Sequence, residues 1–98
     1  MIEINEEVML QTCNLSTALV RNVNDNFVSV SFDILDNGEI QVKFILAVVT
    51  VVEEDYIIDA IAEFSALQEN DIVRKPVIEI IGMGSPLTHS IYERDNMN

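Results

Sequence analysis

Two runs of strict alternation on either side of an Asp-Asn-Gly constrain the fold of this chain more than any other feature. Val28, Val30, Phe32 and Ile34 alternate with Ser29, Ser31 and Asp33, the period-two pattern of a half-buried strand. Asp36-Asn37-Gly38 follows, and Ile40, Val42, Phe44, Leu46 and Val48 resume the alternation beyond it. Asn-Gly between such runs predicts a β-hairpin closed by a type I′ turn, because both residues tolerate the positive φ that this turn requires. The other face of the second strand is polar at Gln41 and Lys43 but apolar at Ile45, Ala47 and Val49. Its far end therefore needs cover on both faces. The chain's own N-terminal segment is the first expectation for that cover, and a second copy in a homodimer through the sheet is the alternative.

A helix is predicted next. Thr50-Val51-Val52-Glu53 fits the capping box, in which the threonine hydroxyl and the glutamate three residues later satisfy free amides at a helix start. Ile57, Ala60, Ile61, Phe64 and Leu67 recur at three- and four-residue spacing and form one apolar stripe, with Tyr56 and Ala66 at its edges. Asn70 is placed to close the helix, since asparagine accepts the left-handed conformation. Residues 77–81 read as a strand entered through Pro76, which suits a first or edge position. Toward the N-terminus the pattern favours a short helix over 6–13 and a strand over 17–23, joined to the hairpin by the turn Asn24-Asp25-Asn26. Residues 83–98 have turn composition and are expected to form an irregular or partly disordered tail. The sum is one α+β domain over residues 1–82: an antiparallel β-meander with one main helix packed on the sheet and a further strand after it.

The charge is one-sided. The chain carries 17 acidic and 5 basic residues among 98, for a formal net charge of -12. Between Lys43 and Arg74 no basic residue occurs, while Glu53, Glu54, Asp55, Asp59, Glu63, Glu69 and Asp71 all fall in that interval. Hydrophobic residues nonetheless make up 49% of the chain, so the charge does not signal disorder. Such a field repels nucleic acid and anionic membrane and attracts basic proteins. The longest apolar run, residues 44–52 with Thr50 inside it, is far short of the ~20 residues that span a bilayer. A single Cys13 makes no internal disulfide and the first residues lack a secretory pattern, so a cytoplasmic protein is expected.

No residue set points to a reaction. Cys13 and His89 are the only cysteine and histidine; with an acid they would make a thiol nucleophile and its base, but a lone cysteine in a small domain is ordinarily an apolar filler. The same two residues are the only soft or imidazole ligands for zinc. Asn22 to Asp25 echoes part of a calcium loop without its glycine bend and closing glutamate. Gly82-x-Gly84 lacks the third glycine and the helix of a phosphate loop. Neither enzyme activity, a metal nor a cofactor is expected. The carboxylates Asp55, Asp59 and Glu63, four apart on the predicted helix, make a line that folding does not ask for, because like charges at this spacing cost about 0.2–0.5 kcal/mol per pair. An acidic face kept for solubility is the ordinary reading of such a line. A docking face for a cationic protein is the sharper one, favoured by the missing lysines.

Asp36-Asn37-Gly38-Glu39-Ile40 leading into a long strand, the acidic helix over 53–68, and the late Ser85-Pro86-Leu87 with Ile91-Tyr92-Glu93-Arg94 together resemble the small immunity proteins of bacterial contact-dependent growth inhibition systems. The resemblance implies a stoichiometric inhibitor that occupies the positive substrate groove of a cognate nuclease or tRNase toxin. On that reading the contact surface centres on Asp55, Asp59 and Glu63, supported by Glu53, Glu54, Glu69 and Asp71, with Tyr56 and Tyr92 as aromatic anchors. Two other classes remain open: a phage-type acidic decoy that blocks a DNA-binding defence complex, and an oligomeric scaffold or chaperone subunit.

Overall fold

The computed structural model describes residues 5–82 and 84–94. Its elements run α1 (Glu6–Leu19), β1 (Phe27–Ile34), β2 (Ile40–Leu46), α2 (Val51–Ala66), β3 (Val77–Ile80) and β4 (His89–Glu93). The four strands form one sheet in the order β3-β2-β1-β4. The class is α+β, as expected, but the sheet is mixed rather than a pure antiparallel meander. β1 pairs antiparallel with β2 and with β4, whereas β3 lies parallel to β2. The reason is α2. A helix between two neighbouring strands carries the chain back along the sheet, and the next strand then starts from the same end as the last.

The predicted hairpin forms with Val30 opposite Phe44 and Phe32 opposite Val42. Its turn is not type I′. Only Gly38 has positive φ, at 87°, and the Gly38 amide donates to Leu35 O at 2.9 Å while Leu35 N donates to Glu39 O at 2.8 Å. This is a three-residue loop that puts the left-handed conformation on glycine alone, where it costs least.

Both helices lie on one face of the sheet. Leu15, Ala18 and Leu19 from α1 and Ile57, Ala60 and Phe64 from α2 meet Phe27, Val30, Phe32, Ile40, Val42, Phe44 and Leu46 in a single core. Phe27 sets its edge against Phe44, ring centroids 6.1 Å apart, a favoured aromatic arrangement. The capping box at Thr50 and Glu53 is present. α2 stops at Ala66, with Leu67 as its C-cap, so Asn70 does not close it.

The N-terminal quarter departs from expectation. One helix, capped by the Asn5 side chain, replaces the expected short helix and the strand over 17–23. The buried residues Gln11, Leu15, Ala18 and Leu19 recur at helical spacing. Polar Gln11 hides the stripe from a hydrophobic pattern, yet it is buried because its amide exchanges two hydrogen bonds with that of Gln68, at 2.9 and 2.7 Å. A second polar brace joins the helices where Asn22 Nδ2 donates to Ala18 O and to Glu63 Oε2. The turn at residues 24–26 precedes β1 as expected.

The largest correction concerns the second face of the sheet. Ile45 is only 4% exposed, and Ser29, Ser31 and Lys43 beside it are also buried. The N-terminal segment does not cover them, because α1 belongs to the core on the opposite face. The cover comes from the connection between β3 and β4, which crosses from one border of the sheet to the other. Lys43 Nζ donates to Ser85 O at 2.7 Å and pairs with Glu79 at 2.9 Å. Leu87 N donates to Ser31 Oγ, and Thr88 N to Asp33 Oδ1. At Gly84 a Cβ would meet the end of the Glu79 side chain, so a larger residue there would have to displace that carboxylate. The expected tail therefore contains a strap and a strand; its positions 83 and 95–98 lie outside the described residues. A chain ended after Gly82 is expected to lose its cooperative thermal transition, followed by circular dichroism. A truncated chain that melts at the full-length midpoint would reduce residues 84–94 to an appendage.

Candidate functional site

α2 presents three flanks, separated by the ~100° turn between successive residues. The inward flank is Glu53, Ile57, Ala60 and Phe64, all buried. Glu54, Asp55, Asp59 and Glu63 are exposed on the others, and among the described residues none of the four takes part in an ion pair. The acidic line expected from the four-residue spacing is thus on the surface.

The remaining candidate residues separate from it. Glu53 is 2% exposed and belongs to the interior. Its Oε1 accepts from the Thr50 amide and hydroxyl, and its Oε2 accepts from Asn24 Nδ2 at 2.7 Å and Asn26 Nδ2 at 3.0 Å. These donors clamp the turn before β1 to the start of α2. Sequence reasoning recognised half of this arrangement, the capping box, and missed the two asparagines because they lie far away in the chain. Tyr56 is half-buried at the core rim, 6.4 Å from the Phe27 ring. Tyr92 is half-buried on β4 opposite Val30. Neither stands out as an anchor. Glu69 and Asp71 are exposed in the loop after α2 rather than on the helix. Glu63 is partly engaged, through the Asn22 amide at 3.2 Å.

What the acidic line lacks in aromatic residues it gains in aliphatic ones. Ile58 on α2 is 63% exposed, and Val51 and Val52 are exposed in the first turn. A groove of about 580 Å³ runs between α2 and β3, lined by Glu54, Asp55, Ile58, Ile61, Pro76 and Ile78 among others. Ile58 was legible as an apolar residue one position off the stripe of Ile57, Ala60, Ile61 and Phe64. The exposed part of β3 was not, because an apolar run at 77–81 reads equally as a buried strand. A second groove, about 500 Å³, opens between the ends of α1 and α2 beside Val20, Arg21, Glu63 and Leu67.

The chemistry of the site is charge and apolar contact. Cys13 is exposed on α1, and His89 on β4 lies against the Phe32 ring at 5.1 Å. Among the described residues no hydrogen bond joins them, and no three His, Cys, Asp or Glu side chains gather as a metal site. No helix among the described residues is long and apolar enough to cross a membrane. Neither protein-family models nor curated proteins return a match to the chain.

The clamp at Glu53 has a pH signature. The hydrogen bond from the Thr50 hydroxyl, then those from Asn24 and Asn26, lower its carboxyl from 4.5 to about 2, against the opposing effect of burial. Because the folded-state value is depressed, the stabilisation is complete above pH 4.5 and is lost as the pH falls toward 2. Glu53→Gln should be less stable than the native chain at neutral pH, and the gap between their melting temperatures should narrow across that acid window. A constant gap would assign the effect to packing instead of charge.

Proposed function

We propose that this chain is a stoichiometric protein inhibitor of the immunity type, which docks a cationic cleft of a nuclease-class toxin against the acidic surface of α2. The observation that carries the reading is that Glu54, Asp55 and Asp59, on the exposed flanks of α2, have no ion-pair partner among the described residues. The chain has only five basic residues, and three are engaged elsewhere. Lys43 is buried with Glu79, Arg74 stands 3.8 Å from Glu39, and Arg94 donates to Asp25 O. The α2 carboxylates are left for a partner.

The mechanism is occlusion. A toxin that handles a phosphate backbone does so with lysine and arginine, and a rigid row of carboxylates on a helix competes for that surface. Long-range attraction raises the encounter rate, to ~10⁸ M⁻¹s⁻¹ or more at low salt, while slow release depends on desolvated apolar contact. Ile58, exposed among the acids, supplies that contact where the sequence suggested tyrosines. Interfaces of this kind place an apolar centre inside a polar rim.

The test uses the product of the neighbouring open reading frame, since an immunity gene adjoins its toxin. Association should be measured at low and high ionic strength for the native chain and for Asp55→Ser/Asp59→Ser. The double variant is expected to associate roughly tenfold more slowly at low salt, with a flatter salt dependence and an unchanged melting temperature. Identical association kinetics in the two proteins would remove this face from the contact.

A further inference from the structure

Among the described residues the outer border of β3 is open. β3 stands at one end of the sheet order, and just beyond its last residue the Ile81 amide donates inward to Leu46 O at 2.8 Å. Strand residues alternate in direction, so the backbone groups of Ile78 and Ile80 point away from β2, to the unpaired border. The side chains of the same residues are 41% and 39% exposed. An apolar strand border with free donors and acceptors is a template for another strand. Beside it lies the α2–β3 groove, with Ile58 on one bank and Pro76 and Ile78 on the other.

We propose that this border joins a second copy of the chain about a two-fold axis, β3 pairing antiparallel with β3 so that one sheet runs through both copies. Charge selects the occupant. The groove has acid on one bank, at Glu54, and a cation on the other, at Lys75; among the described residues neither has an ion-pair partner. α2 carries the chain from the end of β2 back to the start of the parallel strand β3, so it runs opposite to β3. Glu54, in the first turn of α2, accordingly overhangs the C-terminal end of β3, while Lys75 precedes its N-terminal end. Antiparallel pairing brings Lys75 of each copy beneath Glu54 of the other, the self-complementary arrangement that a two-fold interface requires. A cationic strand from a different protein would satisfy Glu54 but confront Lys75 and Arg74. Ile58 and its counterpart close the centre of the groove from above. Asp59 and Glu63 lie on the opposite flank of α2 and stay open in the dimer, which occupies Glu54 and Ile58 and so competes with a toxin for them; the dimer itself does not rest on the toxin-binding reading.

The full chain should sediment at twice its 11.0 kDa mass at micromolar to millimolar concentration. Ile58→Asp and Lys75→Glu, both at exposed positions, should each weaken the dimer by roughly tenfold or more. Glu54→Lys combined with Lys75→Glu should restore it, because the exchange recreates the pair with signs reversed. In the native dimer the amides of Ile78 and Ile80 should exchange with solvent more slowly than in Ile58→Asp. A native chain that stays monomeric over this range overturns the proposal and leaves the border to a strand of another protein. A dimer indifferent to both single substitutions, or one that the charge exchange fails to restore, overturns it as well.

Discussion

The central strand pair is buried on both faces, and most of the molecule is arranged to cover it. On the front, Phe27, Val30, Phe32, Ile40, Val42, Phe44 and Leu46 demand an apolar layer, which α1 and α2 provide together. Neither helix alone presents a stripe wide enough: α1 contributes Leu15, Ala18 and Leu19, and α2 contributes Ile57, Ala60 and Phe64. On the back, Ser29, Ser31, Lys43 and Ile45 are too mixed for a third helix, so a polar-backboned strap covers them, bonding to Ser31 and Lys43, while the buried Ser29 hydroxyl has no hydrogen-bond partner among the described residues. The two solutions match the two compositions. Apolar rows are covered by side chains, whereas the Ser31 hydroxyl and the Lys43 ammonium are met by strap main chain, because either group buried without a partner would cost free energy.

The hairpin, the capping box and the helix stripe were legible because each is local. Alternation, the glycine at position 38 and the Thr50–Glu53 pair require only neighbours in sequence to be recognised. What escaped was set by distant contacts. Gln11 hid a helix because its burial depends on Gln68. Glu53 looked like one acid among seven, but two asparagines in the turn before β1 draw it inside. The strap looked like a tail because its residues bond to β1 and β2 rather than to each other. The parallel placement of β3 follows from α2 lying between two strands of one sheet, a rule of connection that composition does not display.

The acidic surplus is not one uniform coat. Some of it is structural: Glu53 holds a helix to a turn, Glu79 neutralises buried Lys43, and Asp33 receives a strap amide. What remains unpaired on α2 stands next to exposed isoleucine. Charge acts over a Debye length, roughly 10 Å at 0.1 M salt, and aliphatic contact acts only on touching. A surface that carries both separates attraction from retention, and each can change through substitutions that spare the other.

The strap also imposes an order of events on a nascent chain. β1 and β2 are neighbours in sequence and zip locally, but the far edge of β1 stays unpaired until residues 89–93 emerge and Ser29 finds Glu93. Contacts of such long sequence separation form late. For that interval a half-finished sheet presents Ile45 and an open strand edge to solvent, the kind of exposure that chaperones recognise. The segment that closes the sheet from the far side is thus also the one that makes the rest safe to release.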